Sequence, residues 1–595
     1  MVSRLRGLPF LDLSGYSRAA FAKDATAAAT VTFLAIPQCL AYAMIAGLPP
    51  VVGLYAAAVP SIVGALLRSS RHVMTGPSNA LSLLVGTVAA SAADLDPVST
   101  VLLLALIVGA LQVAMGSLRL GVLVDYISIP VVVGYITGAG ILIAAGQLHH
   151  LTGTPGGRGS LIDKVTVWAS HLSDANLASV AIGVVTAAGI LGLRRLDRRI
   201  PGALLVPSAM TALAFFLDAP ARFGVETIRD LDPIPTGLPP LTIPWRPEGH
   251  TYALAEVRAL LPAAVAITVL SVVESSAVAR AIALKTGQRL DLSFELFGQG
   301  AANVASAFFG GYPISGSLAR STLNHRTGAV SRLSGVMMGA FVLVALLGLG
   351  PVVNHTPVAA LAGLLMVVAS DLVDVGRIRT ILRARRSDLV AFLATLASTW
   401  TLRLDHAIYV GVAVSVFLFM RRARVITVHH VAFDEVGRPM DLREDDPRFE
   451  ARRCRSVRML QVEGQLFFGA VGELTTALDA VVADPTAKVV CLRLRRAFGM
   501  DATIAELLEG TARRLREEGR HLVIMGVRPD SLEVLRRTGA LAAIGEDAVF
   551  EKTDTWFSAS DAGLAHALAL LGEHDCKAPC PIRVHLDARE AARPR

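Results

Sequence analysis

Charge is what this chain has least of. Asp, Glu, Lys and Arg make up 17% of its 595 residues, where a soluble domain carries about 25%. The deficit falls in residues 24–420, where apolar runs follow one another with brief interruptions, and it ends at Arg421, beyond which the chain reads as water-soluble. With 53% hydrophobic residues and a mean hydropathy of +0.55, the composition points away from an entirely soluble protein. Cysteine is scarce too, with five at positions 39, 454, 491, 576 and 580. Zinc motifs pair two ligand clusters. Only Cys576-Lys-Ala-Pro-Cys580, with His574 just before it, makes one, so a metal or redox role would be confined to that tail. The first 23 residues hold Arg4, Arg6, Arg18 and Lys23 but no short apolar core, so no cleavable leader is expected. A net charge of +8 would suit a polyanion. The basic residues sit between apolar runs, however, where membrane topology accounts for them without a nucleic-acid partner.

Crossing a bilayer as a helix takes about 20 apolar residues. The candidate spans are 25–45, 49–67, 77–92, 98–118, 122–146, 177–193, 201–217, 257–279, 292–310, 316–324, 333–351, 356–375, 388–403 and 406–420, several of them too short to cross alone. With the N-terminus inside, Arg and Lys collect in the inside loops. These hold Arg68 and Arg71, Arg119, the cluster 194–199, Arg280 with Lys285 and Arg289, Arg326 and Arg332, the cluster 377–386, and Arg421, Arg422 and Arg424. The outside loops are poor in both, and the longest, 218–256, is rich in Pro and Asp. The reading is fourteen segments with both ends cytoplasmic, in the inner (plasma) membrane.

Transporters often consist of inverted repeats, and short Gly/Pro-broken segments at matching positions point to the binding site. Two such segments occur: His72-Val-Met-Thr-Gly-Pro77-Ser-Asn-Ala80 and Gly310-Gly-Tyr-Pro313-Ile-Ser-Gly-Ser-Leu-Ala-Arg320. Pro313 lies 236 residues after Pro77, and Glu274 lies 236 residues after Gln38. A polar residue in the first span of each half is thus matched by a break in the third. Helix N-termini carry unpaired amides and about half a positive charge, so two of them converging make an anion site without a dedicated base. Ser78 and Asn79 follow one break, and Ser315 and Ser317 flank the other, each able to add a donor. The competing reading is that these residues only permit kinks and close helix packing.

Glu274 is a carboxylate within a span, a costly placement that is usually functional. Facing a bound anion 5 Å away at an effective dielectric of 20, it would oppose binding by roughly 3 kcal/mol. Protonation removes that term, so proton and anion would bind together. Alternatively Glu274 is structural, paired with Arg280 or another nearby base. Arg320, one turn into the second half-helix, either attracts the anion or pairs with Glu274.

At these positions the chain resembles the sulfate permease (SulP) family of anion transporters. Three stretches carry the likeness: Pro37-Gln-Cys-Leu-Ala-Tyr-Ala-Met-Ile-Ala-Gly-Leu-Pro-Pro-Val-Val-Gly-Leu-Tyr55, Ser70-Arg-His-Val-Met-Thr-Gly-Pro-Ser78, and Phe309-Gly-Gly-Tyr-Pro-Ile-Ser-Gly-Ser-Leu-Ala-Arg-Ser321. The similarity runs over residues 20–560 or so. It implies an α-helical polytopic fold of two inverted seven-segment repeats, with core and gate domains, usually dimeric and moving as an elevator. It also implies that Gln38, Tyr42, Ser78, Glu274 and the stretch Ser315, Gly316, Ser317, Leu318, Ala319 and Arg320 line the site. Ala319 departs from the serine of several relatives, which removes one hydroxyl donor, and Cys39 replaces a more usual Gly or Ser.

Beyond the spans, residues 456–464, 487–495 and 521–527 read as buried strands, and 472–483 and 502–517 as helices, with Asp501 as an N-cap. Alternation of this kind suggests a small α/β domain. Its order and the Phe498-Gly-Met-Asp501-Ala-Thr503 loop resemble the STAS domain, in which the loop after the Asp carries a phosphorylatable Ser; here Ala502 and Thr503 stand instead. With no metal, nucleophile or nucleotide motif, it reads as an interaction module for a cytoplasmic protein partner, needing no cofactor.

The expected organisation is a cytoplasmic segment at 1–23, a transport domain at 24–421, a linker at 422–455, the STAS domain at 456–565 and a tail at 566–595. The expected activity is secondary active transport of a small oxyanion, sulfate first, coupled to protons through Glu274. Bicarbonate or a C4-dicarboxylate, or a passive channel or exchanger, are the alternatives.

Overall fold

The computed structural model describes residues 16–91, 96–121, 128–157, 161–197, 201–246, 252–348, 350–442, 446, 448, 452–572 and 580–591. They fall into two compact units, one running to Val416 and the other from Phe417.

The first unit is helical. Helices fall on each of the apolar stretches named above, although residues 122–127, which begin one of them, lie outside the described residues. By length and composition, seven described helices can cross a membrane, and Pro50–Leu66, Asn79–Ser91, Gly202–Phe216 and Leu333–Gly348 are apolar but shorter. Helix α1 (Arg18–Ile45) begins at Ser17, whose hydroxyl accepts the Ala20 N–H at 3.1 Å, and carries Pro37 inside it. A proline there removes one helical donor a single residue before Gln38.

The chain then reaches its first break, β1 (Met74–Gly76), only three residues long, followed by α2 (Asn79–Ser91). Next come α3 (Pro97–Ser117), α4 (Ile129–Thr152), α5 (Leu254–Thr286) and α6 (Leu292–Phe308). The second break is β2 (Ser315–Ser317), which feeds α7 (Leu318–Arg326) and then α8 (Leu333–Gly348). The two short strands pair antiparallel, Met74 with Ser317, Thr75 with Gly316 and Gly76 with Ser315.

Small residues bring the flanking helices together. A Cβ at Gly116 of α3 would lie 2.6 Å from the Phe297 nitrogen of α6, and one at Gly300 of α6 would lie 2.5 Å from the Val113 nitrogen of α3. Lipid supplies no hydrophobic drive between helices, so this backbone-to-backbone approach supplies the contact. Asp24 on α1 is fully buried. Its carboxylate accepts the Val330 and Ser331 amides at 2.7 and 3.2 Å and the Tyr16 hydroxyl at 2.8 Å, which ties α1 to the turn before α8.

The second unit is an α/β layer structure. Its strands are β3 (Thr427–Phe433), β4 (Pro439–Leu442), β5 (Val457–Gln465), β6 (Val489–Phe498), β7 (His521–Val527) and β8 (Val549–Glu551). They form one sheet in the order β4-β3-β5-β6-β7-β8, parallel from β5 onward, with β3 antiparallel to both neighbours. The inner strands alternate perfectly and bury both faces. Leu460, Leu492 and Ile524 pack with Leu474 of α9 (Val471–Val482) and Leu508 of α10 (Ala502–Glu517). Met459, Cys491 and Val523 pack with Leu564 of α11 (Ser558–Leu571) and Ile582 of α12 (Pro581–Ala591). Strands covered on both sides read as continuous apolar runs.

Asp501 caps α10 by accepting the Ile504 N–H at 3.1 Å and also takes the Phe468 N–H at 2.6 Å. His585 of α12 sits with one ring nitrogen 2.6 Å from the Gly437 carbonyl and the other 3.0 Å from Asp561. Burial raises the Asp561 carboxyl, but hydrogen bonds from His585 and Arg589 outweigh it and hold the group below its usual range.

The stretch 422–455, read as linker, therefore contains two strands of the sheet, and 566–595, read as a tail, contains the end of α11 and all of α12. β4 is the edge strand and β3 its inner neighbour, and His429, His430 and Asp441 interrupt their apolar residues, so periodicity does not reveal them. His574 and Cys576 of the proposed tail cluster lie outside the described residues, and among the described residues no group of His, Cys, Asp or Glu is arranged to hold a metal.

The pairing of β3 sets where the chain divides cleanly. A chain ending at Met440 keeps β3 without its β5 partner and presents an open edge; one ending at Ala423 does not. We expect the shorter chain to extract as a monodisperse membrane protein and the longer one to aggregate, read by size-exclusion chromatography. Equal behaviour of the two would show that β3 holds its fold without the rest of the sheet.

Candidate functional site

Two helix interruptions lying side by side leave backbone groups that a lipid-embedded chain must satisfy internally. The β1–β2 pairing satisfies part of them, and α6 supplies much of the rest. Glu295, Gln299, Asn303 and Ser306 recur every three or four residues along α6, and all are fully buried. Gln299 Nε2 donates to the Ile314 carbonyl at 2.8 Å, and Asn303 accepts the Ile314 N–H at 2.7 Å while donating to its carbonyl at 3.2 Å. Ser306 donates to the Tyr312 carbonyl at 2.7 Å. Glu295 accepts the Ser69 and Ser70 amides at 3.1 and 3.0 Å and stands 3.5 Å from Arg68, whose Nη2 donates to Gln299 at 2.9 Å. Sequence reasoning passed over this stripe. Its signal was four polar residues at helical spacing inside an otherwise apolar span.

Helix α5 meets both interruptions at one turn. Glu274 is half-buried, and its Oε2 accepts the Ser78 hydroxyl at 2.8 Å and the Ser315 hydroxyl at 2.6 Å. The next residue, Ser275, accepts the Gly316 N–H at 2.8 Å and donates to Gln299 at 3.2 Å. A turn earlier, Ser271 donates to the Ile314 carbonyl at 3.0 Å. Glu274 thus bridges the residue after one break and the first residue of the other strand. The structural pairing of Glu274 with Arg280 is not formed, and among the described residues no cation sits in ion-pair range of Glu274.

Arg320 does not pair with Glu274. Fully buried, it donates through Nη2 to the Pro77 carbonyl at 2.6 Å, and its Nη1 lies 3.5 Å from Cys39 Sγ. Its Nε has no hydrogen-bond partner among the described residues. It therefore braces the opposite break, where Gly76, at φ +150°, leaves it room; a Cβ there would stand 2.7 Å from Nη1. In return Ser321 accepts the Met74 N–H at 2.9 Å, and Asn324 donates to the His72 carbonyl at 3.2 Å.

The remaining candidates fall around this knot. Tyr42 is buried on α1, within Coulombic range of Arg320 and Glu274. Gln38 is buried one turn earlier on the same helix and makes no side-chain hydrogen bond to either break among the described residues. Asn79 is half-buried and caps its own helix by accepting the Ala80 N–H at 2.8 Å. Ser317 accepts the Arg320 N–H at 3.4 Å as the N-cap of α7, and Ala319 is exposed on the first turn. The structure therefore brings Ser78, Glu274, Ser315, Gly316, Ser317 and Arg320 into one hydrogen-bonded cluster. Chemically it offers hydroxyl and amide donors around a single carboxylate, with no nucleophile–base pair.

Comparison with known proteins places this arrangement in context. The model of the sulfate permease family matches residues 21–395, and that of the STAS domain matches residues 448–555. A putative sulfate transporter of Bacillus subtilis is 29% identical over 91% of this chain and 98% of its own length. A probable sulfate transporter of Mycobacterium tuberculosis is 29% identical over 90% and 94%. Among solved structures, the murine solute carrier 26 family member A9 anion transporter, in its inward-facing state, has the same fold with a TM-score of 0.85 at 18% identity, covering 96% of this chain and 95% of that one. The transmembrane domain of a cyanobacterium bicarbonate transporter matches with a TM-score of 0.58 at 23% identity, covering 67% and 98%.

Gln299 is the joint of the scaffold, since it holds Ile314, Arg68 and Ser275 together. Gln299→Leu leaves a buried carbonyl and a buried guanidinium each short of a partner, a loss of roughly 2–3 kcal/mol. The expected outcome is a clearly lowered melting temperature of the purified protein, whereas Glu274→Gln, which keeps an acceptor oxygen, should melt close to the parent. A Gln299→Leu protein that melts like the parent would show that α6 does not carry the breaks.

Proposed function

Since the chain belongs to the sulfate permease family and is a multi-pass membrane protein with a STAS domain, we propose that it is a secondary active transporter of a small oxyanion, sulfate first, with the anion held between the two breaks and a proton carried on Glu274. The observation that carries the reading is the shared carboxylate oxygen. Glu274 Oε2 takes the hydroxyl protons of both Ser78 and Ser315, so while it is ionised neither serine can donate to an anion. Its charge also opposes an anion 5 Å away by roughly 3 kcal/mol at an effective dielectric of 20, about a hundredfold in affinity.

Protonation reverses both effects at once. The neutral acid no longer repels, and it no longer needs two donors, so both hydroxyls turn to the incoming oxyanion. The N-termini of α2 and α7, which follow the paired strands directly, add their amides and partial positive charge. Tyr42 and Gln38, with polar groups uncommitted to the breaks, complete the wall from α1. Arg320 then acts as a brace whose charge favours an anion without touching it. Proton and anion load together and leave together.

The wider frame of the proposal is fourteen segments in two inverted repeats, working as an elevator in a homodimer, with both termini cytoplasmic in the inner membrane. Its support is the 236-residue offset between the broken segments, their antiparallel pairing and the arginines gathered in alternate loops. The STAS domain serves in this reading as a docking module for a cytoplasmic protein, with Ala502 and Thr503 both exposed on the first turn of α10.

In proteoliposomes, Glu274→Gln should lose uptake driven by an inward proton gradient, bind anion at neutral pH and lose pH dependence, while anion exchange persists. Accumulation against the anion gradient by this variant under an imposed proton gradient would remove Glu274 from coupling. An unchanged response of the parent protein to pH would favour the passive channel. Competition by bicarbonate or a C4-dicarboxylate against labelled sulfate ranks the substrates. Ser78→Trp fills the space between the breaks and should abolish uptake at normal expression; ordinary uptake in that variant would move the site elsewhere.

A further inference from the structure

Outside the cluster of breaks lies a cavity of about 750 Å³, lined among others by Arg71, His72, Gln288, Arg289, Asp291 and Arg332. Its three arginines come from three separate turns: the one entering β1, the one joining α5 to α6, and the one entering α8. All three are loops that the arginine distribution assigns to the cytoplasmic side.

The Asp291 carboxylate is engaged in capping α6, where it accepts the Phe294 N–H at 3.0 Å. Glu295 accepts the Ser69 and Ser70 amides, stands 3.5 Å from Arg68 and also attracts Arg332, which in turn feels the charges of Arg71 and Arg68. The guanidinium groups of Arg71 and Arg289 form no ion pair or hydrogen bond among the described residues, and both residues are exposed.

The walls are nonetheless fixed. Gln288 accepts the Arg71 N–H at 3.2 Å and donates to the Ser69 carbonyl at 2.8 Å, and Arg332 Nη2 reaches the same carbonyl at 3.3 Å. His72 is only 8% exposed. One of its ring nitrogens lies 3.0 Å from the Ala329 carbonyl, while its buried Nδ1 has no hydrogen-bond partner among the described residues.

We propose that this cavity is a second anion site, distinct from the transport site, which takes a substituted phosphate group: either the head group of an anionic lipid or a soluble polyphosphate. A phosphate with an organic remainder or a second phosphate occupies more of the 750 Å³ than a single small oxyanion, and its greater length suits arginines carried on three turns. Guanidinium forks match phosphate oxygens two at a time. Basic pockets among transmembrane helices on the cytoplasmic side are suited to phospholipid head groups. The occupant ties together the turn that leads into β1, the turn that leaves α5 and the turn that opens α8.

The test uses the full-length protein. Its melting temperature is measured in detergent with pyrophosphate against chloride at matched ionic strength, and in nanodiscs of phosphatidylcholine with and without phosphatidylglycerol. The parent should be stabilised by at least one of the two probes. Stabilisation by phosphatidylglycerol alone identifies a lipid source, and by pyrophosphate alone a soluble one. Arg71→Gln/Arg289→Gln, at exposed positions, should fold normally and bind the effective probe about tenfold or more weakly, and Ser78→Trp should respond as the parent does. Stabilisation by neither probe, an unchanged response in the double arginine variant, or its loss in Ser78→Trp would each overturn the proposal.

Discussion

A helix interrupted inside a bilayer has nowhere to send its free amides and carbonyls except to other parts of the same protein. Two interruptions can answer one another, and here they do. β1 and β2 are too short to be stable alone, yet paired they close one another's backbone, and α5 and α6 stitch the remaining groups from the two sides. Arg320 and Ser321 reach from the second break to the first. The whole transport unit is arranged around this mutual closure: α6 is polar along one face because Ile314 and Ser69 need partners, and it lies against α3 through glycines because the polar face must sit close to what it serves.

The same closure explains why the serines face a carboxylate. Donors in a low-dielectric setting require acceptors at all times, whether or not a ligand is present. Glu274 is the resident acceptor for Ser78 and Ser315. A site with two hydroxyls and no resident partner would collapse or hydrate, and one with a fixed cation in place of Glu274 would hold its anion too well to release it.

Much of this was legible in the chain. The breaks announce themselves through Pro77 and Pro313 with their glycines, and Glu274 through its isolation in an apolar run. The inner strands of the second unit stand out because both their faces are buried. What stayed hidden depends on contacts between distant residues. Nothing near Arg320 in sequence says that it binds the carbonyl of a residue 243 positions away. β3 and β4 lack the apolar alternation that marks half-buried strands, because His429 and His430 interrupt it in β3 and β4, at the sheet edge, is only four residues long. The α6 stripe was visible as Glu295, Gln299 and Asn303 four residues apart, but its purpose appears only when Ile314 is seen opposite.

The Gly76–Arg320 contact also governs how this sequence can drift over generations. A side chain at 76 collides with the guanidinium, and a smaller residue at 320 makes room only by stranding the Pro77 carbonyl. Each residue thus sets a condition on the other, so positions 76 and 320 are expected to change together, whereas Ala319, exposed on the first turn of α7, is outside that constraint.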